Sequence, residues 1–348
     1  MIVKPADELR ELVIKLLSKA GADERNANAV AEHLVRSNLS GVDTHGVWHV
    51  AGYVAAIKNG DLLPTAWPEI IKETPTSGLV SGNWTFGHTS ARFAMETAIE
   101  KAKSQNVAVV SLVQSHHIGR LGHYTEMATA EGMIAMVWAG GFSEEDPAVV
   151  PFGGRRRLLH TNPVAFGFPA GVESPMAFDF ATSALSGVKV KNAQRRNEQL
   201  APGCIVDKDG NPSTNPQDVF DGGGQIPFGG HKGYGLMMAA EFLGRIFTGS
   251  DMLADPKRGG PLMRSHGVSM IVFKADLFQS FDDYARRADE FERRTRAVPP
   301  APGFQEVLVP GDPEVRTRAA RQQEGIPIHD DIWQSIVETA TSLGIKDV

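Results

Sequence analysis

The chain has 348 residues, of which 42% are apolar, enough for two lobes or one large α/β domain with a sizeable core. Its formal charge of −6 argues against nucleic acid as a main partner, because the basic clusters Arg155–Arg157 and Arg293–Arg296 are offset by acids and read as solvated faces. The single cysteine, Cys204, excludes an internal disulfide and a Cys-rich zinc site and suits a reducing, cytoplasmic compartment. Charges spread through the N-terminal run are unlike a secretory signal, and no apolar stretch approaches membrane-spanning length.

Taken in order, Leu9, Leu12, Val13, Leu16 and Leu17 follow the helical period, with acids in the first turn and Gly21 near the end. Ala27, Val30, Ala31, Leu34 and Val35 repeat it, with Asp23 as N-cap. Val47 to Asn59 reads as a third helix, stopped by Gly60. Between the second and third helices lies SNLSGVDTHGVWHVAGY (Ser37–Tyr53), a polar corner that gathers an acid, a hydroxyl, two imidazoles and a phenol. Thr89–Ser104 is a further amphipathic helix, and the β-branched Val107–Val113 a buried strand. A second histidine turn, SHHIGRLGHY (Ser115–Tyr124), follows that strand, where ligands of α/β sheets sit. Tyr124–Glu131 reads as a helix, with strands at Met133–Trp138 and Phe178–Phe180 and a strand and turn at Gly203–Pro212. Leu236–Phe247 is a helix, Val268–Phe273 a strand, Ala285–Arg296 a charged helix and Ile332–Leu343 an amphipathic finish. Both ends are helical and the middle mixed. We therefore expect a helical lobe over 1–75, a central α/β domain over 76–275, and a segment over 276–348 that returns to the first lobe.

His45 is a candidate proton donor and acceptor, since imidazole titrates near neutrality; a histidine that merely braces its turn is the alternative. His45 and His49 are also spaced i, i+4, as a metal pair on one helix face would be. No glutamate follows His45, so the HExxH pattern is absent. Of the adjacent His116 and His117, only one can point into a given pocket if the backbone is extended. Arg120 and Tyr53 are candidates for a substrate carboxylate, although Arg120 also reads as a surface arginine. The Gly-rich stretch Gly222–Gly235 precedes a helix and carries Lys232, which makes an anion site for a pyrophosphate. It is neither a P-loop nor GxGxxG.

In this order the motifs GVDTHGV (Gly41–Val47), SHHIG (Ser115–Gly119), PFGG and HTNP (Pro151–Gly154, His160–Pro163), DFATS (Asp179–Ser183), HKGYGL (His231–Leu236), and PAPGF with PG (Pro300–Phe304, Pro310–Gly311) span almost the whole chain. Together they resemble the malate/L-lactate dehydrogenase family that is unrelated to Rossmann-type enzymes. The resemblance implies an α/β fold with a non-Rossmann NAD(P)-binding central domain and a helical lobe built from both termini. It implies a homodimer, and NAD- or NADP-dependent hydride transfer at C2 of a small 2-hydroxy or 2-oxo (or cyclic 2-imino) acid. By the same resemblance His45 is the catalytic proton donor and His117 a second active-site histidine. Thr44 and Tyr53 are on the substrate side, and Asp179, Ala181, Thr182, Ser183, His231, Lys232, Gly311 and Asp312 fall in cofactor-contacting segments. Three departures stand out. His49 replaces the family's usual arginine near the substrate carboxylate, a role that falls either to His49 itself, if protonated, or to Arg120; Thr44 replaces a common serine; His160 replaces a usual glycine. The competing readings are a metal-dependent hydrolase or lyase using His45, His49 and His117, and a non-catalytic relative that binds a nucleotide or acid.

Overall fold

A computed structural model of the chain describes residues 1–141 and 146–346. Uniformly apolar runs form strands covered on both faces, and Val107–Val113 forms one with the expected bounds. It belongs to a seven-stranded mixed sheet with the order Glu69–Thr74, Ser77–Ser81, Val107–Val113, Gly267–Lys274, Met133–Gly140, Val164–Phe168 and Met176–Phe180. Only the Ser77–Ser81/Val107–Val113 pair is parallel, and the helix Gly87–Gln105 makes its crossover. That helix lays the fully buried Ala91, Ala94, Met95, Ala98 and Ala102 on the sheet, against Val110, Leu112 and Met270. Alanine at four of these five positions lets the helix axis approach the strands closely. The strand Gly267–Lys274 runs antiparallel between Val107–Val113 and Met133–Gly140.

A second core is helical. Leu9, Leu16 and Leu17 of the helix Ala6–Lys19 and Val30 and Leu34 of the helix Glu24–Leu39 pack with Tyr53, Phe86, Ile326, Ile328 and Ile336. The Asp23 carboxylate caps the second helix, accepting from the Asn26 N–H at 2.9 Å. Both ends of the chain meet here: Ile2–Lys4 pairs antiparallel with Ile326–Ile328, and the helix Asp330–Ser342 follows. The helix Phe281–Arg296 packs elsewhere. Phe281 lies against Gly132, and the Asp289 carboxylate accepts from the N–H groups of Gly171 and Val172 at 3.0 and 2.9 Å.

Several elements differ from expectation. The stretch from Val47 to Asn59 is a 3-10 turn, Val47–His49, followed by the helix Val50–Asn59, which Gly60 ends at φ 78°. The helix expected over Leu236–Phe247 starts at His231 and loosens into a π-turn at Phe242–Ile246. There a Cβ on Gly244 would fall 2.1 Å from the Gly140 nitrogen, so glycine lets the turn touch the sheet. Among the described residues no helix is long and apolar enough to cross a membrane.

Candidate active site

Asp43–His45 and Val47–His49 are two short 3-10 turns joined at Gly46. Gly46 is required: a Cβ there would lie 2.1 Å from the Asn38 side chain. Asn38 uses this closeness to pin the turn, its carbonyl oxygen accepting from the Val47 N–H at 2.9 Å and its amide donating to Asp43 at 2.6 Å. Arg321, from the helix Asp312–Glu324, donates to both Asp43 carboxylate oxygens at 2.7 and 3.0 Å. Asp43 therefore fixes the backbone that carries His45. Thr44 Oγ1 lies 3.3 Å from His45 Nδ1 and orients the ring.

His117 arrives from the loop after the Val107–Val113 strand. Gly87 makes room for it, since a Cβ there would meet the carbonyl oxygens of His116 and His117 at 2.2 and 2.3 Å. The His45 and His117 rings are parallel within 13° at 5.9 Å, and those of His49 and His117 are 4.4 Å apart. The Tyr53 hydroxyl shares a 2.7 Å hydrogen bond with His117 Nδ1 and lies 3.3 Å from His88 Nε2. Thr44, His45, His49, Tyr53 and His117 all line one cavity of about 560 Å³. His116 lines it too, contrary to the expectation that only one of the pair would. The segment is irregular, with Gly119 at φ 72°, and extended-strand alternation does not apply. Arg157, read from sequence as part of a solvated basic face, lines it as well, and so do Trp48, Asp61, Lys191 and His266, which had no assigned role. Trp48 sits within the Ser37–Tyr53 corner; Asp61, Lys191 and His266 lie in no motif, so spacing gives no signal for them.

Burial holds these imidazoles neutral. It pushes His49 down to about 3, helped by His45 and only partly opposed by the hydrogen bond from His49 Nε2 to the Thr44 carbonyl at 2.9 Å. A neutral His49 cannot supply the cation of the arginine it replaces. Burial also lowers His117 and His45; for His45 the nearby Asp179 charge pulls upward and Arg120 downward. Burial raises the Tyr53 phenol, which stays protonated. Among the described residues no group of three or more His, Cys, Asp or Glu is arranged to hold a metal ion.

Arg120 does not line the cavity. Only 4% exposed, it donates to Glu126 at 2.8 Å, and Arg36 and Arg318 reach the same carboxylate at 2.7 and 3.3 Å. Despite its burial, Glu126 is pulled down to about 2 by these three guanidiniums, and it ties together the helices Glu24–Leu39, Gly122–Ala130 and Asp312–Glu324. Removing one partner of such a buried set leaves uncompensated charge. Glu126→Gln is therefore expected to cost about 3–5 kcal/mol of unfolding free energy. Urea titration checks this, and a loss below about 1 kcal/mol would show the cluster to be inert.

The remaining predicted residues lie outside the cavity lining. Asp179, at the end of the edge strand Met176–Phe180, accepts from the Gly122 N–H at 2.8 Å and so caps a helix while acting on His45. Ala181–Ser183 sits beside Pro227–Phe228: Ser183 bridges Pro227, and the Phe228 N–H donates to the Thr182 carbonyl at 3.0 Å. Thr182 is fully buried and braces the Thr161 and Asn162 carbonyls at 3.1 and 2.9 Å. Through this contact the DFATS turn meets the start of the helix His231–Glu241, where His231 and Lys232 are exposed and Gly229 and Gly230 have positive φ. First-turn N–H groups and an exposed lysine there fit a pyrophosphate. Gly311, at φ 103°, lies against Ala177 of the same edge strand, and Asp312 is held by Arg296 at 2.9 Å.

Comparison with known proteins gives the family. The profile of the malate/L-lactate dehydrogenase family matches residues 5–337. The L-sulfolactate dehydrogenase of Methanocaldococcus jannaschii is 34% identical, covering 99% of this chain and 98% of its own length. The solved structure of sulfolactate dehydrogenase from the same organism superposes with a TM-score of 0.88 at 31% identity, over 99% of this chain and 98% of that one. Δ1-Piperideine-2-carboxylate reductase from Pseudomonas syringae pv. tomato superposes with a TM-score of 0.85 at 29% identity, over 98% and 100%. The chain belongs to the malate/L-lactate dehydrogenase family of oxidoreductases.

Proposed function

We propose that the protein transfers hydride between a nicotinamide cofactor, NAD or NADP, and C2 of a small 2-hydroxy or 2-oxo (or cyclic 2-imino) acid. The observation that carries this reading is the meeting of Thr44, His45, Tyr53 and His117, drawn from two distant turns, in one cavity. The family's other members support it. His231–Lys232, Ala181–Ser183 and Gly311–Asp312 would hold the nucleotide, and its nicotinamide, when bound, would supply or take up the hydride.

Within this reading the proton is handled by His45. With Nδ1 set against Thr44, its Nε2 serves the substrate oxygen or nitrogen. A neutral His45 is ready to accept the proton of an alcohol during oxidation. In the reductive direction the substrate's own carboxylate, entering the buried site, favours the imidazolium and so brings the proton donor into being. His117, locked through Nδ1 to Tyr53, orients the substrate with its other nitrogen. The carboxylate must find its cation among the lining residues, and Arg157 and Lys191 are there; Lys191 is near enough to depress His49.

Cofactor fluorescence on separate titration with NADH and NADPH tests the proposal, followed in the same cuvette by pyruvate, oxaloacetate and a cyclic imino acid. Saturable binding and oxidation of one reduced cofactor by at least one acid are expected. Failure to bind either nucleotide would sink the reading.

A further inference from the structure

The cavity has a second cluster of polar groups that the mechanism above does not use. His116, His160 and His266 all line it. In each, one ring nitrogen is buried with no hydrogen-bond partner: Nδ1 of His116, Nε2 of His160 and Nδ1 of His266. The His160 and His266 rings share the ground beside Gly141, where a Cβ would fall 3.7 and 2.7 Å from their respective Cδ2 atoms. His266 is influenced by both other imidazoles. His116 borders the catalytic group, its ring 5.9 Å from that of Tyr53, while His160 and His266 stand together beside Gly141.

An unpartnered polar nitrogen costs roughly 1–3 kcal/mol when buried. Three of them, on side chains that all line one cavity, are poorly explained as packing and well explained as ligand contacts. Burial keeps all three neutral, lowering His116 and His266 to about 4. A neutral imidazole offers one donor and one acceptor. Asp61 acts on His116, and Asp146 and Glu241 act on His160, Glu241 being itself paired with Arg245. Three neutral imidazoles offer an anionic group no countercharge. The cationic lining residues Arg157 and Lys191 are the ones left for the carboxylate.

We propose that His116, His160 and His266 form a recognition site for an uncharged hydroxyl or amide group on the substrate tail. This rests on the dehydrogenase reading and narrows it. The preferred acids carry a neutral hydrogen-bonding tail, in contrast to lactate-sized acids and to dicarboxylates.

The test compares kcat/KM for pyruvate, hydroxypyruvate, oxaloacetate and 2-oxosuccinamate, the last two differing only by carboxylate against amide. Hydroxypyruvate and 2-oxosuccinamate are expected to exceed pyruvate and oxaloacetate, respectively, by about 10-fold or more. Unmatched buried polar groups reject an analogue that lacks their partner. In His160→Phe and, separately, His266→Gln, each checked by thermal melting, the 2-oxosuccinamate to pyruvate ratio should fall by about 10-fold. Two variants guard against one failing to fold. Equal or better turnover of oxaloacetate or pyruvate by the unmodified enzyme, or an unchanged ratio in a folded variant, overturns the tail site but leaves the dehydrogenase reading standing. No turnover of any acid overturns both.

Discussion

His45→Gln is expected to lower kcat by about 10²–10⁴-fold, the range general acid–base catalysis supplies. Its dissociation constant for the reduced cofactor should stay close to that of the unmodified enzyme. The substitution keeps a polar side chain in the turn that Asn38 and Arg321 hold, so lost activity would report on the proton and not on the fold. The unmodified enzyme carries a second signature. Burial lowers His45 below its ordinary 6.5. With the neutral ring as base, kcat/KM for oxidation should rise with pH through a midpoint below that value and then level off. With the charged ring as acid, kcat/KM for reduction should fall over the same window. A kcat within about 3-fold of the unmodified enzyme in the variant would remove His45 from the proton path.

Loss of stability between pH 7 and pH 5 should be steep. Burial holds His116, His123 and His266 at about 4 and His49 at about 3 in the folded protein. Unfolded, each takes up a proton near pH 6.5. The unfolded state therefore binds more protons as the pH drops below that value, and stability present at neutral pH is lost on acidification. Each group removes about 1–2 kcal/mol by pH 5, and the four together about 4–8 kcal/mol, comparable to the whole stability of many domains. His33, His88 and His117 are shifted the same way and steepen the fall. Below pH 4.5 the depressed carboxyl of Glu126 adds to it. Urea midpoints measured from pH 7.5 to 5 check this, and a flat profile would mean that the imidazoles reach water.

What could be read from the sequence was what burial writes into a local pattern. Val107–Val113 and Gly267–Lys274 are covered on both faces, and an unbroken apolar run of strand length has few other readings. Glu69–Thr74 is exposed throughout and is a strand because Ser77–Ser81 pairs with it, so EIIKET shows no alternation. The helix Asp312–Glu324 buries no residue and has no apolar stripe. Ion pairs hold it, Arg318 to Glu126 and Arg321 to Asp43, and partners 192 and 278 residues away leave no periodic trace. The same logic divides the site. His45 and His117 stood out because glycine-flanked imidazoles are conspicuous. Arg120 invited a ligand role because Glu126, six residues on, is not a helical neighbour by spacing; only the turn at Gly122 brings them together. His266 and Lys191 reach the cavity by the path of the chain, which spacing does not encode.

The threading of the chain also sets a timetable. The strand that joins Val107–Val113 to Met133–Gly140 is made of residues 267–274, so at synthesis the first two wait, edges unpaired, through well over a hundred further residues. The N-terminal strand waits longer still, for Ile326–Ile328. The turn carrying His45 emerges early from the ribosome but gains its Arg321 anchor only when nearly all of the chain exists. Until then the turn that carries His45 lacks the guanidinium that holds Asp43. The cost is a long interval in which two apolar surfaces are open to aggregation, the situation in which chaperones act.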